Sequence, residues 1–471
     1  MKDICSVTGC NREVFEKGKC IFHCDKDDWF DEIEIYGEKK RDWSRSREKV
    51  DHFWFEIRDK IMSNNNTDEY LFEGFIFPEF EKDFDFAKIK NFNKIDKELV
   101  FDKKANFKDS IFLDVAYFSD ITFQNEVNFC DSEFQDRAHF FNSKFQNKAF
   151  FGFSIYNNDV LFSKSTFENK VSFEHSTFQN KFEFVNSVFQ NEVSFWGSIF
   201  QGKVSFFDAS DKKYTKGILK FHSTKFEEKS SLDVRDCDVK SIIIVNLINY
   251  SNFLRLTNIN VLDNFILVNI NLTKFEFHNL NLIKCKTAIE NVSFISSSGF
   301  AVFNGVKWGD ISKTFDKTTD RDTFRQLKYV NEKQGNIIEA NKFYSAEMKA
   351  YKEELKDKKN KHRWQDRVIF WLNEKVSNFS QNWLKPLGWF FLIGFIAFVF
   401  SNFSKIISYL NDTSKITLTT LWNAINQFFK YLNPFNTSAG EWNPVIWLVF
   451  KALSIFIIYQ FIISLRRQTR R

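Results

Sequence analysis

The feature that most constrains this chain is a phenylalanine that returns at alternating intervals of five and six residues. The beat runs from Phe107 to Phe206, with Tyr156 at one position. The residue two places earlier is mostly small, Ala or Val before one ring and Ser before the next. A helix repeats about every 3.6 residues and a half-buried strand about every two, so neither explains the beat. The spacing predicts a mainly β solenoid whose short sides each point one ring and one small side chain inward.

Two segments carry a family resemblance, Ser165-Thr-Phe-Glu-Asn-Lys-Val-Ser-Phe173 and Ser187-Val-Phe-Gln-Asn-Glu-Val-Ser-Phe195. They resemble the phenylalanine-rich variant of the pentapeptide-repeat family. The resemblance implies a right-handed quadrilateral β-helix. The extra residue in every second step departs from a strict five-residue repeat, and we expect a wider corner or a bulge to absorb it.

The strict repeats cover 101–208, and we predict a solenoid over 68–310. Residues 208–217 are interpreted as an inserted loop, and 242–295, rich in Ile, Leu, Val and Asn, as coils with aliphatic cores. Several phenylalanines near the start fall off the beat, and we expect them in an irregular first coil or a cap, because an open solenoid end must be covered. They include Phe84, Phe86 and Phe92.

A cysteine cluster opens the chain, with the arrangement Cys5-x4-Cys10-x9-Cys20-x2-His23. Three thiolates and one imidazole are the usual closed ligand set of structural zinc. Residues 1–27 resemble small zinc-binding knuckles, through Gly9-Cys10 and Gly18-Lys-Cys20-Ile-Phe-His23. Cys24 stays open as an alternative to His23, and reduced cysteines without metal are the competing interpretation. Four ligands leave no open position for a catalytic water.

Residues 28–67 are predicted as a helical linker, because apolar residues such as Trp29, Trp43 and Trp54 fit one or two amphipathic helices. A helical neck over 318–385 is predicted to hold an α-helical hairpin that turns at Gly335-Asn336. Its run from Glu339 to Met348 is similar to hairpins of membrane-attached pentapeptide-repeat proteins. The basic residues that follow face anionic lipid or form a solvated helix face. They are Lys358, Lys359, Lys361 and Arg363.

Residues 386–471 are predicted to hold two transmembrane helices, Pro386–Phe403 and Asn443–Leu465. A buried helical pair in a soluble domain is the alternative, and Lys451 is an unusual residue for a membrane span. Basic residues flank the pair on both outer sides, so the positive-inside rule places the solenoid and both termini in the cytoplasm. Between the two helices, Leu418–Leu432 is an amphipathic helix candidate, either external at the interface or re-entrant. The start of the chain has no signal-peptide pattern, which also favours a cytosolic solenoid.

Charge argues against nucleic acid as a partner. The formal net charge is +5, and residues 101–208 hold 14 acidic and 10 basic side chains. This mixed surface lacks the dense negative field of a DNA mimic and the basic face of a DNA binder.

Three functions from different classes remain. We favour a membrane-anchored scaffold in the inner or plasma membrane that binds lipid and a protein of unknown identity. The alternative is a membrane-perturbing or channel-like effector, toxic or defensive, in which copies of the chain oligomerise. A potassium-type Thr-Val-Gly-Tyr-Gly filter is absent from the sequence. An enzyme is the least favoured, because the sequence has no P-loop, nucleophile elbow or His-Glu-x-x-His motif.

Overall fold

The structure, a computed structural model, describes residues 3–62, 66–80, 99–208, 215–249, 253–297, 299–316, 319–355, 364–411, 417–433, 435 and 444–469. The chain divides into two compact units, Met1–Thr319 and Asp320–Arg471. Some residues of the sequence analysis lie outside the described ranges. They are Phe84, Phe86, Phe92, residues 209–214 of the inserted loop, and the basic residues Lys358, Lys359, Lys361 and Arg363.

The first unit is a β solenoid, as predicted. Apart from two antiparallel pairs, its described strands form four parallel sheets, and in the strict repeats each sheet is one side of the coil. The first sheet holds Glu69–Leu71, Lys104–Asn106, Val127–Asn128, Ala149–Phe150, Val171–Ser172, Glu192–Ser194, Thr215–His222, Asp238–Val245, Asn260–Asn271, Asn281–Leu282, Lys286–Ser293 and Lys307–Trp308. Its later part takes up two sides, since Asn281–Leu282 pairs with the long strand at Asn260 and Lys286–Ser293 pairs with it from Asn264 onward. The second side holds Ile76–Phe77, Ile111–Phe112, Glu133–Phe134, Ile155–Tyr156, Thr177–Phe178, Ile199–Phe200, Lys225–Phe226 and Ile248–Asn249.

The other two sides complete the quadrilateral. The third side holds Ala116–Tyr117, Ala138–His139, Val160–Leu161, Phe182–Val185, Lys203–Phe207, Ser231–Arg235, Phe253–Thr257, Phe275–His278 and Val302–Asn304. The fourth side holds Leu99–Phe101, Ile121–Phe123, Lys144–Phe145, Thr166–Phe167 and Val188–Phe189. A short antiparallel pair, Ile295–Ser296 with Gly299–Phe300, lies outside these sheets.

The alternating beat reflects two kinds of corner. Val127 pairs with Ala149 and Glu133 with Ile155, so one coil takes 22 residues, two steps of five and two of six. Each five-residue step turns at a residue with positive φ, and the six-residue steps contain none, so their extra residue makes a wider corner. The left-handed residues of the strict repeats are Asp109, Asp120, Asp131, Asn142, Phe153, Lys164, His175, Asn186 and Gly197.

The core is a set of ladders with one position per coil. Phe151 stacks on Phe129 at 5.1 Å and on Phe173 at 4.9 Å between ring centroids. Offset stacking of this kind adds to the area that the rings bury. The serines of the beat are buried beside the rings, and each hydroxyl donates to a phenylalanine carbonyl of the preceding coil, as Ser154 does to Phe129 at 2.7 Å. The buried serine hydroxyls of the repeat are therefore satisfied by hydrogen bonds.

Later coils replace rings with aliphatic side chains and longer strands. Ile242 pairs with Phe265, and both are buried. Asparagines stand at the left-handed corner here and form a ladder: Asn269 Nδ2 donates to Asn246 Oδ1 at 2.8 Å and Asn291 Nδ2 to Asn269 Oδ1 at 2.9 Å. Amide side chains thus hold the corner where the aromatic stacking ends.

The linker prediction for 28–67 is wrong in its first half. Asp31–Ile35 and Glu38–Asp42 form an antiparallel hairpin, because Tyr36 and Gly37 both take positive φ and build a tight turn. The second half is helical: helix α1 (Arg47–Glu56) continues as a π-helical turn over Ile57–Met62. Short 3₁₀ turns cover Asp27–Trp29 and Ser44–Ser46.

The second unit is helical. The short helix α2 (Ile311–Thr314) still belongs to the first unit. In the second unit, α3 (Arg321–Lys333) and α4 (Ile337–Glu354) form a hairpin with Gly335 at φ 77°. The side chains of Asp320 and Asn336 cap the two helices by accepting from the amides of Thr323 and Glu339. The remaining helices are α5 (Trp364–Ser377), α6 (Leu384–Ser401), α7 (Phe403–Asn411), α8 (Leu418–Leu432) and α9 (Pro444–Thr469).

Two of these helices, α6 and α9, are long and apolar enough to cross a membrane. Their spans are Leu384–Ser401 and Val445–Arg467. Buried polar contacts join the C-terminal half of α9 to α5: Gln460 accepts from Ser377 Oγ at 3.0 Å and donates to Asn373 Oδ1 at 2.8 Å. The neck helix and the second apolar helix are thereby fixed to each other.

Candidate metal centre

Tight turns bring the N-terminal cysteines together. Lys17 and Gly18 take φ of 46° and 77° in a turn closed by the Lys19 amide and the Glu16 carbonyl at 2.9 Å. Gly9, at φ 83°, precedes Cys10, whose amide donates to the Val7 carbonyl at 3.0 Å. Glycine adopts this left-handed region without the steric cost of a Cβ, so both turns depend on it.

Four side chains meet in this fold: Cys5, Cys10, Cys20 and His23. Their ligand atoms all lie within 4.8 Å of one another, and all four residues are buried. His23 Nδ1 lies 3.3 Å from Cys20 Sγ and 3.5 Å from Cys5 Sγ, and the sulfurs of Cys10 and Cys20 are 3.8 Å apart. Such a cluster can hold a metal ion.

A second set of contacts orients the imidazole. His23 Nε2 lies 3.4 Å from the Glu73 carbonyl oxygen, so its Nδ1 faces the sulfurs. A histidine that donates its other ring N–H to a carbonyl is the usual arrangement at metal centres. The ring also packs edge-on against Phe75 at 5.5 Å. The orientation of the imidazole therefore depends on the first solenoid coil.

Burial shapes the protonation of the cluster. It raises the pKa of the Cys20 thiol to about 12 and lowers the pKa of His23. Burial also raises the pKa of Cys5, but backbone hydrogen bonds at Cys20 and Val7 lower it, and the net pKa is below its ordinary value. Without a cation the Cys20 thiol keeps its proton at neutral pH, and His23 is neutral, the form that binds metals. A bound cation would replace that proton.

Cys24 does not join the four-residue group. Its Sγ donates to the Ile21 carbonyl at 3.5 Å, and burial raises its thiol pKa. Lys26 lies next to it, almost fully buried, and donates to the carbonyls of Ile21 and Cys24 at 3.1 Å each. Lys26 Nζ also lies 5.0 Å from the ring centroids of Trp29 and Phe53. Lys26 therefore stabilises the segment around Ile21 and Cys24 through these two hydrogen bonds.

The knuckle caps the solenoid end. Phe22 stacks on Phe75 with centroids 4.4 Å apart and planes 2° from parallel, which continues the spacing of the core ladders. The Ile76 amide donates to the Phe22 carbonyl at 2.9 Å, while one coil later the Ile111 amide donates to the Phe75 carbonyl at 2.8 Å. Arg12 lies over both rings, 4.9 Å from Phe22 and 5.4 Å from Phe75. The knuckle thus takes the place of one more coil.

Sequence spacing identified the four clustered residues, but it did not identify the residues that pack against them and orient them. Lys26 and Arg12 carry no spacing signal, because a single charged residue in a polar segment is ordinarily exposed. The Glu73 contact is made by a backbone carbonyl, which no side-chain motif reveals. A weak sign of the docking was present in the sequence, since Phe22 is an aromatic residue inside the Cys-His segment.

One family comparison bears on the chain. Residues 162–210 match a family model described as pentapeptide repeats (9 copies). This agrees with the resemblance predicted from the sequence and with the stacked phenylalanines of the solenoid. No curated protein and no solved structure matches the chain.

Proposed function

We propose that this pentapeptide-repeat protein is a non-enzymatic, membrane-anchored scaffold whose solenoid end is closed by a structural zinc ion. The observation that carries the anchoring is the exposure of α6 and α9. Only 17% of the α6 span and 33% of the α9 span are buried. A core helix of a soluble domain hides most of its apolar surface, whereas large exposed apolar surface calls for lipid or a partner.

Zinc is the metal that suits the cluster. A tetrahedral zinc with bonds of about 2.3 Å to sulfur and about 2.0–2.1 Å to nitrogen separates its ligands by roughly 3.8 Å between sulfurs and roughly 3.5 Å between sulfur and nitrogen. The distances of 3.8, 3.5 and 3.3 Å at the cap are close to these values. Three thiolates and an imidazole favour zinc over harder cations, and a fully liganded ion has a structural role.

The packing of the solenoid supports the scaffold role. Stacked rings fill its interior, and the buried serine hydroxyls of the beat bond to carbonyls, as Ser132 does to Phe107 at 2.8 Å. Its outer surface is therefore the place for a protein partner. One corner exposes aromatic side chains on successive coils: Phe153 stacks on His175 at 4.9 Å, and His175 contacts Trp196 at 5.4 Å. Exposed aromatic residues are frequent at protein interfaces.

The proposed orientation places the solenoid and both termini in the cytoplasm. Arg367, Lys375 and Lys385 precede the apolar core of α6, and Arg466 and Arg467 end α9. Positive residues concentrate on the cytoplasmic side of membrane helices. The segment between the two spans then lies on the opposite side.

Alkaline extraction of isolated membranes tests the anchoring. We expect the full chain to stay in the pellet and a variant that ends before Leu384 to be released to the supernatant. The truncation is a matched control because it keeps the solenoid and the cap. Recovery of the full chain in the alkaline supernatant would contradict the proposal.

A channel-like or membrane-perturbing effector is the second candidate, and helix α8 favours it. This amphipathic helix lies between the two apolar spans and packs on α6, with 6.2 Å between the ring centroids of Phe398 and Phe428. Membrane potential during induced expression separates the two functions. A scaffold leaves the potential unchanged whether or not residues 384–471 are present, whereas depolarisation by the full chain alone would favour the effector.

A further inference from the structure

Helix α8 ends against the middle of α6. A Cβ placed on Gly394 would lie 2.3 Å from Leu432 Cδ2 and 3.7 Å from Phe428 Cε2, so the glycine makes room for the last turns of α8. Leu432 is buried at this contact. Small residues serve this purpose where membrane helices approach closely.

The same end of α8 is bonded to α9. Lys451 Nζ donates to the Asn433 carbonyl oxygen at 2.6 Å and lies 4.4 Å from the Trp447 ring centroid. Tyr431 contacts the same tryptophan at 6.1 Å. A helix leaves its last carbonyls without intrahelical partners, and these carry partial negative charge, so a lysine is a favourable cap. This accounts for a charged residue inside an apolar helix.

The contacts at Gly394 and Lys451 place the end of α8 equally far from the ends of α6 and α9. Gly394 lies seven residues before the end of α6 at Ser401, and Lys451 lies seven residues after the start of α9 at Pro444. At about 1.5 Å per residue, each position is roughly 10 Å inside its helix end. If α6 and α9 span a hydrocarbon layer of about 30 Å, the end of α8 lies about a third of the way in.

The surface of α8 has three faces. One packs on the neighbouring helices, one exposes apolar side chains and one exposes polar side chains. The packed face holds Thr420, Ala424, Phe428, Tyr431 and Leu432. The exposed apolar face holds Leu418, Leu421, Trp422, Ile425 and Phe429. The exposed polar face holds Thr419, Asn423, Asn426, Gln427 and Lys430.

We propose that α8 is a re-entrant helix: its apolar face contacts lipid acyl chains, its polar face borders a water-filled cleft, and Lys451 holds its C-terminal end inside the bilayer. The inference rests on the proposed membrane anchoring. The apolar side chains of this face are exposed, like most of the α6 and α9 spans. The amide side chains of the polar face need water, since acyl chains cannot hydrogen-bond them. The Lys451 bond satisfies the backbone carbonyl that a helix end inside the bilayer would otherwise leave unpaired.

Introduced cysteines test this arrangement in sonicated membrane vesicles, which expose both membrane faces to a charged maleimide. The native cysteines all lie in the first 285 residues, so labelling of the α8 peptide is read separately by mass spectrometry. We expect Leu418→Cys and Gln427→Cys to be labelled. Phe435→Cys, although 87% exposed in the protein, should be labelled only after detergent is added.

A second variant tests the lysine. Lys451→Met in the Phe435→Cys chain should restore labelling without detergent, whereas Lys405→Met, on the exposed surface of α7, should not. Labelling of Phe435→Cys as fast as Leu418→Cys, in membranes that retain the chain at alkaline pH, would place α8 outside the bilayer and overturn the inference. Release of the chain by alkali would instead overturn the anchoring and the inference with it.

Discussion

At the scale of single residues, the N-terminal segment that caps the solenoid contains two kinds of buried cysteine, those of the cluster and Cys24. Cys5, Cys10 and Cys20 converge with His23, whereas Cys24 donates to a backbone carbonyl instead. A thiol that keeps its proton is a small apolar group, but a thiolate needs a cation close by. The two kinds therefore predict different results when a cysteine is replaced by serine, which is similar in size and a poor zinc ligand.

Cys10→Ser should lose most of the bound zinc, because it removes one of four ligands, while Cys24→Ser should keep it. Elemental analysis of the two purified chains measures the metal content directly. Both variants remove one buried cysteine from the same short segment, so each controls for the other. Loss of zinc from Cys24→Ser with retention in Cys10→Ser would show that the ligand set is wrong.

Tyr156 is the polar member of an aromatic ladder. Its ring lies 4.8 Å from Phe134 and 4.9 Å from Phe178. Among the described residues its buried hydroxyl has no hydrogen-bond partner, since the nearby Ser154 donates to carbonyls. An unsatisfied buried hydroxyl costs about 1–3 kcal/mol. Tyr156→Phe should therefore raise the thermal unfolding midpoint of the detergent-solubilised chain. A fall in the midpoint would mean that the hydroxyl has a partner.

At the scale of the element, a coil combines a buried ladder with a left-handed corner. Phe151 and Phe153 are two residues apart and show the difference: Phe151 is fully buried, and Phe153 is 59% exposed at φ 59°. The ladder position contributes apolar burial, whereas the corner position asks for a residue that tolerates positive φ. Asparagine meets that requirement, as Asn142 and Asn186 do at other corners.

Phe151→Ala should destabilise the solenoid by about 3–5 kcal/mol, the usual cost of emptying a buried phenylalanine site. Phe153→Asn should leave stability unchanged or raise it, since it relieves a strained corner and loses only exposed contact area. Denaturant unfolding followed by tryptophan fluorescence compares the two. Equal losses of stability would contradict the assignment of the two positions.

Spacing predicted the ladders because every coil must present a ring at the same place. Spacing also predicted the wider corners, but not the left-handed ones, since Phe153, Lys164 and His175 adopt positive φ against their own preference and neighbouring coils hold them there. The hairpin at Asp31–Ile35 and Glu38–Asp42 was missed for a related reason. Its strands are mostly charged and exposed, so the apolar residues on either side suggested a continuous helix.

At the scale of the whole molecule, the N-terminal knuckle covers the end of the solenoid, which would otherwise be exposed. The first coil presents unpaired amides and the face of a ring, and the knuckle covers both, through the Phe22 carbonyl and the Phe22 ring. In the proposed function, zinc binding adds folding energy to this short segment, beyond what the Phe22 contact supplies. Removal of the ion should consequently expose the first coil and leave distant coils intact.

Hydrogen exchange of the full chain before and after chelation is the most direct test of a metal-held cap. The Ile76 amide, bonded to the Phe22 carbonyl at 2.9 Å, should exchange much faster once the metal is removed. The Ile199 amide, bonded to the Ser176 carbonyl at 2.9 Å five coils further on, should keep its protection. Unchanged protection at Ile76 after the metal has been removed would contradict a metal-held cap.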